Sequence, residues 1–246
     1  MAGNIYFASD FHLGLPAGSD PKEREKRVVA WLDKISPTAA EIYLLGDVFD
    51  FWWEYRRVVP KGFTRFLGKV SELTDSGLPV HFFTGNHDMW VGNYLRDECG
   101  MVIHTGPVIR EFSGKKFYLA HGEGLGSKDP GYKILLSIFH NKPLRALYSA
   151  IHPAIGMWIG HKWSLGSRLG KGMSPGFMGE DKEDLFRHSL VVLESENIDY
   201  FIYGHRHLPM SVKIGNNSVI TILGDWIRDA SYVEWNGNEL KLVQNF

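Results

Sequence analysis

Apolar residues in this chain gather into short runs, and each run stops at polar side chains that can bind ions. The run Ile42-Tyr-Leu-Leu45 ends in Gly46-Asp47, with Asp50 three positions further on. Residues 6–9 run into Asp10 and His12, and residues 80–84 run into Gly85-Asn86-His87-Asp88. Residues 116–120 end at His121-Gly122, and residues 200–203 at Gly204-His205-Arg206-His207. Short apolar runs bounded by turn residues read as strands buried on both faces. Between the first three runs the period changes to that of a helix. Val28, Val29, Trp31, Leu32 and Ile35 form one stripe, with Pro21 near its start, and predict a helix over 21–35. Phe63, Phe66, Leu67, Val70 and Leu73 predict another over about 62–75. Strand and helix in alternation imply a parallel, doubly wound core.

Beyond residue 100 the runs shorten. Residues 101–104, 108–112 and 116–120 predict strands joined at Gly106-Pro107 and Ser113-Gly114, and 181–196 predicts a capped amphipathic helix. Residues 212–214, 218–223, 231–235 and 239–243 are expected to complete an antiparallel set. The sum is an α/β fold with two mixed sheets packed face to face between helices.

Residues 122–178 break this rhythm. Seven Lys or Arg (Lys128, Lys133, Lys142, Arg145, Lys162, Arg168 and Lys171) stand there against Glu123 and Asp129, in a chain whose formal net charge is −1. Large apolar residues such as Leu144, Leu147, Tyr148, Trp158 and Trp163 lie between the cations. The segment reads as a helical cap inserted in a core made of residues 1–121 and 179–246. Its apolar residues could simply cover the core, or they could line an acyl-chain groove with cations at its mouth. Apolar anchors among cations also suit a membrane surface.

Composition adds limits. The near-zero net charge argues against general nucleic-acid binding, and Cys99, as the only cysteine, excludes an intrachain disulfide. An opening strand that reaches Asp10 at once leaves no room for a cleavable signal peptide, and no apolar run is long enough to span a bilayer. A cytoplasmic chain, able to sit on a membrane surface, is the expectation.

The strand ends deliver Asp, His, Asp, Asn, His, His and His. Mixed oxygen and imidazole donors suit two first-row divalent ions better than a thiolate zinc site or an all-oxygen calcium site. Two cations about 3.5–4 Å apart can draw a nucleophile from water and neutralise phosphate oxygens for in-line attack on phosphorus. His81, His104, His140, His152, His161 and His188 lack this context and read as structural. Asp50 reads equally as an acceptor for a ligand histidine or as a helix N-cap, and Asp225 as structural. Gly122-Glu-Gly124-Leu-Gly126 is not a dinucleotide fingerprint, since its third Gly comes too early. Gly172-Met-Ser174-Pro-Gly176 matches a nucleophile-elbow pattern without the preceding strand.

The ordered blocks Asp10-x-His12, Gly46-Asp47-x-x-Asp50, Gly85-Asn86-His87-Asp88, His121-Gly122 and Gly204-His205-x-His207 resemble the calcineurin-like metallophosphoesterase superfamily. The resemblance implies an αββα sandwich with a dinuclear centre. Asp10, His12 and His207 would hold one metal, Asn86, His121 and His205 the other, and Asp47 would bridge them. His87 would donate a hydrogen bond to the phosphate or leaving group, with Asp88 orienting it. Asp75-Ser-Gly-Leu-Pro79, Cys99-Gly-Met101, Gly204-His-x-His-x-Pro209 and Leu223-Gly-x-Trp226 narrow the resemblance to the UDP-2,3-diacylglucosamine diphosphatases of lipid A synthesis. That branch implies manganese, a helical lid for the acyl chains, release of UMP and the lipid monophosphate, and peripheral contact with the cytoplasmic face of the inner membrane. Arg168 and Lys171 are the candidate phosphate contacts. The best-known members carry Arg where His87 stands. A general phosphodiesterase or nucleotide pyrophosphatase is the enzyme alternative, and a membrane- or partner-binding module on the same fold the non-enzyme one.

Overall fold

The computed structural model describes residues 3–17, 20–127, 130–171 and 176–246. Strand β1 (Asn4–Ala8) leads to helix α1 (Pro21–Ile35), β2 (Ala39–Leu45), α2 (Thr64–Asp75) and β3 (Val80–Phe83). A single turn, α3 (Tyr94–Asp97), precedes β4 (Val102–His104), β5 (Val108–Phe112) and β6 (Lys115–Ala120). Helices α4 (Pro130–His140), α5 (Lys142–Ser149) and α6 (Pro153–Lys171) follow, then α7 (Asp184–Leu193). Strands β7 (Tyr200–Tyr203), β8 (Met210–Ile214), β9 (Ser218–Ile222), β10 (Tyr232–Trp235) and β11 (Leu240–Val243) end the chain.

The first sheet has the order β11-β10-β1-β2-β3-β4 and the second β5-β6-β7-β9-β8. Strands β1 to β4 pair in parallel, as do β6, β7 and β9. The last four strands do not form one antiparallel set. Hairpin β8-β9 extends the second sheet, whereas β10 crosses back to pair with β1. Alternation marks a strand but not its sheet, and here the segment from Gly224 to Ser231 carries the chain between them.

Three apolar layers stack the elements. Phe7, Tyr43, Leu45 and Phe83 of the first sheet meet Phe117, Leu119 and Ile202 of the second. Phe7 stacks on Phe117 with ring centroids 5.9 Å apart. Burying a Phe stabilises by roughly 1.5–3 kcal/mol, so this layer fixes the two sheets against each other. Helices α1 and α2 cover the outer face of the first sheet through Trp31, Leu32, Phe66 and Val70, and α7 covers the second through Leu185 and Phe186. The result is an αββα sandwich in which the C-terminal ends of β1, β2, β3, β6 and β7 converge.

Helix α1 occupies the predicted span because Asp20 accepts from Lys22 N at its start and Pro21 sits in its first turn. Helix α2 starts at Thr64, since Phe63 is held at φ +59°, outside helical geometry. The C-terminal helix is shorter than 181–196 predicts. Glu183 precedes it without capping it and turns its carboxylate to Arg206 instead.

One buried polar cluster lies away from the converging ends. His81 Nδ1 and His104 Nε2 are 2.9 Å apart, and His81 Nε2 is 3.1 Å from Glu41. Burial, reinforced by neighbouring His81, pushes His104 down to about 4. An unfolded histidine titrates near 6.5. As pH falls from about 6.5 to about 4, the unfolded chain takes up a proton that folded His104 refuses. This contribution to stability is complete above that window and is lost within it. Urea midpoints measured across the window should fall for the native chain, and His104→Asn should make the fall shallower; parallel curves would contradict this.

Candidate metal centre

The ends of β1, β2 and β7 bend sharply to present their side chains. Asp10, His12, Asp47, His205 and His207 all have φ between +45° and +65°, which non-glycine residues rarely adopt. Such conformations persist where the surroundings over-determine them, as at functional sites. The β1 and β2 ends hold each other: Asp10 N donates to Gly46 O at 3.0 Å and His12 N to Asp47 O at 3.0 Å. Fully buried Arg24 of α1 donates to the carbonyls of His12 and Leu15, pinning the loop from inside.

Two positions need glycine. Gly46 has φ +85°, and a Cβ there would lie 2.5 Å from His121 Nδ1. A Cβ at Gly85 would lie 2.2 Å from Asp47 Oδ1. Even one methyl group would displace a side chain of the centre.

Ligand-type atoms of Asp10, His12 and His207 lie within 4.8 Å of one another, as do those of Asp10, Asp47 and His121 and those of His12, Asp47 and His87. Asp47 stands in the middle. Its Oδ1 accepts from His87 N at 2.9 Å, while His121 Nε2 is 3.5 Å and His12 Nε2 3.9 Å from its Oδ2. The His205 ring lies 5.2 Å from that of His121, and His205 N donates to Asp10 Oδ2. Asn86 stands between Gly85 and His87 with its Oδ1 buried. Six of the seven expected ligands are thus brought together, and the seventh, Asn86, adjoins His87, whose main-chain N–H meets Asp47. Arg168 and Lys171 lie on α6, and their side chains fall outside the described residues, as does Ser174.

Outer partners aim the imidazoles. His121 Nδ1 is 2.7 Å from Leu45 O, an atom that only accepts, so Nδ1 carries a hydrogen and the ring turns Nε2 toward the centre. His207 Nδ1 donates to Asp225 Oδ2 at 3.0 Å, leaving Nε2 to face Asp10 at 3.2 Å. Asp225 therefore orients a candidate ligand. Its signal was the Gly224-Asp225 step after β9, the same step as Gly46-Asp47. Asp50 is not a helix N-cap, because no helix follows it. Its main-chain oxygen accepts from His87 Nδ1 at 2.9 Å and its Oδ1 from Ser164 Oγ at 2.8 Å. Asp88 does not orient the His87 ring as expected. Its two oxygens accept from Gly85 N and Phe49 N, so it holds the loop that carries Asn86 and His87.

The electrostatics follow from burying two carboxylates together. Burial raises the Asp10 and Asp47 carboxyls, but the neighbouring imidazoles, His207 for Asp10 and His121 for Asp47, hold both below the usual range. His207 rises to about 9 against its own desolvation because Asp10 and Asp225 flank it. His205 falls to about 3 through burial and repulsion from His121. Asp88 and Glu123 are each raised to about 7, chiefly by burial. So much buried anionic character calls for positive charge. The donor set fits divalent cations: His121 Nε2, within the converging group, and Asn86 Oδ1, on the loop beside His87, are both buried without a hydrogen-bond partner.

Beside this centre lies an apolar cavity of about 260 Å³ between helices α4 to α6 and the loops after β2 and β3, lined by Phe51, Trp53, Trp90, Phe139, Tyr148 and Trp163 among others. Trp53 and Tyr148 have ring centroids 4.2 Å apart, and the Trp163 ring is 6.0 Å from that of His87.

Known proteins resemble this chain in sequence over most of its length. A UDP-2,3-diacylglucosamine hydrolase of Porphyromonas gingivalis is 42% identical, the alignment covering 98% of this chain and 97% of that protein. The proteins of that name in Hamiltonella defensa and Edwardsiella ictaluri are each 26% identical, over 96% and 97% of this chain and 94% and 90% of their own. The calcineurin-like phosphoesterase model matches residues 3–209. With that match across most of its length and these donors gathered at its strand ends, the chain belongs to the calcineurin-like phosphoesterase family and is a hydrolase.

Proposed function

We propose that the chain cleaves the pyrophosphate of UDP-2,3-diacylglucosamine, releasing UMP and 2,3-diacylglucosamine 1-phosphate, a step of lipid A synthesis. The observation that carries this reading is the apolar cavity one ring away from His87: a phosphoesterase acting on water-soluble diesters has no use for an aromatic chamber there. The full-length likeness to the hydrolases of that name supports it. Asp10, His12 and His207 would hold one divalent ion, Asn86, His121 and His205 a second, and Asp47 both, Mn²⁺ being the ion we assign. Bound there, the ions supply a nucleophile from water near neutral pH and charge to offset the phosphate oxygens. His87, its ring fixed through Nδ1, would present Nε2 for a hydrogen bond to the phosphate or leaving-group oxygen. Asp88 keeps Asn86 and His87 on one rigid loop. The cap, residues 122–178, seats the acyl chains.

The cap also favours peripheral contact with a membrane on the cytoplasmic side. Leu147 and Trp158 are 68% and 62% exposed, with Ile134 and Ile155 exposed too, and Lys142 and Lys162 beside them point to anionic headgroups. No described helix is long and apolar enough to cross a bilayer.

Incubation with Mn²⁺ and UDP-2,3-diacylglucosamine should yield UMP and the lipid phosphate. Tyr148→Ala, which opens the cavity wall, should raise KM for the lipid about tenfold while kcat stays within about twofold. Fast cleavage of a bis(aryl) phosphate with no action on the lipid would instead support the general phosphodiesterase.

A further inference from the structure

Helix α6 carries Gly156, Gly160 and Ser164 at every fourth position, along one edge. A Cβ at Gly156 would lie 2.0 Å from Tyr55 Oη, and one at Gly160 2.2 Å from Phe51 Cζ. The helix is therefore seated on the segment after Asp50 as closely as its backbone allows. The third member of the edge, Ser164, is fully buried and reaches past that segment into the centre.

Its Oγ is 2.8 Å from Asp50 Oδ1 and 3.3 Å from His87 Nδ1. The carboxylate oxygen accepts, so the hydroxyl hydrogen belongs to that contact and the oxygen's lone pairs are left for His87. His87 Nδ1 is also 2.9 Å from Asp50 O, which again accepts. Nδ1 thus carries a hydrogen shared between Asp50 O and Ser164 Oγ, and Nε2 is turned toward Asp47 Oδ2, 4.0 Å away. One turn earlier on α6, His161 Nδ1 lies 3.8 Å from Asp50 Oδ2, so the cap meets this carboxylate twice.

We propose that Ser164 is a positioning residue through which the seating of α6 sets the His87 imidazole, so that the cap, besides covering the cavity, completes the reacting geometry. With α6 displaced, His87 keeps only the main-chain oxygen, and its ring gains freedom about the bond that aims Nε2. The proposal rests on His87 as the group that meets the substrate phosphate, and it does not depend on the lipid.

The test uses the full chain in zinc-containing buffer, with ¹⁵N-labelled histidine and the His87 ring identified by its loss in His87→Gln. The native chain should show a hydrogen on His87 Nδ1 that exchanges slowly with water. Ser164→Ala and Gly160→Ala should speed this exchange at least about tenfold, while Ser164→Thr, which keeps the hydroxyl, should not. Gly166→Ala is the control, since a Cβ there meets nothing within 4 Å. With UDP-2,3-diacylglucosamine and Mn²⁺, Ser164→Ala should lower kcat about tenfold with KM within about twofold, and should cost nothing further when His87 is already Gln. The proposal is overturned if the native ring bears no Nδ1 hydrogen, if exchange is unchanged in Ser164→Ala, or if the kcat loss persists in the double variant. A native chain that turns over no such lipid sinks the substrate reading alone, and the exchange measurement then decides.

Discussion

Asp47→Asn is expected to lower turnover of any phosphoester by about 10²–10³-fold while the chain remains folded, the scale seen when one charge-stabilising contact is removed from a dry site. The substitution keeps the shape, which matters because Gly85 leaves no spare room against Asp47. Its amide oxygen can still accept from His87 N, as Asp47 Oδ1 does. It loses the negative charge that His121 and His12 approach at 3.5 and 3.9 Å, and with it the capacity to offset two cations at once. Thermal scans separate this from a folding defect. Mn²⁺ should raise the midpoint of the native chain by about 5 °C or more and leave that of Asp47→Asn in place. Retention of a tenth of native turnover would contradict the bridging role.

His87→Gln should reduce kcat by roughly 10²–10³-fold, the usual worth of a positioned proton donor, with metal content unchanged. The backbone contact from His87 N to Asp47 survives the change, and so do the two amide bonds by which Asp88 holds the loop. Only the ring is removed from the centre. Elemental analysis beside the kinetics checks the division: loss of bound metal together with activity would make His87 a ligand instead of a donor.

Much of this arrangement was legible in the residues, and the parts that were not share a cause. An apolar run ending in Asp or His states both a strand and the direction in which it delivers a ligand, and all five such runs meet. What the runs could not carry was contact between segments far apart. Ser164 lies 114 positions from Asp50, in a stretch whose periodicity spoke only of helices and burial. Asp225 follows Gly224 at a strand end like Asp47, yet its task, accepting from His207 Nδ1, needs β9 to lie beside β7. Asp88 was expected to orient His87, but the short Gly85-to-Asp88 loop turns its carboxylate to the backbone amides of Gly85 and Phe49 instead. The crossing of β10 to the first sheet is likewise set by packing against β1 and not by alternation.

The most direct measurement is an anomalous-difference map from crystals of the chain grown with Mn²⁺. Two peaks are predicted, one among Asp10, His12 and His207 and one among Asn86, His121 and His205, with Asp47 touching both. A single peak, or none within reach of Asp47, would contradict the account.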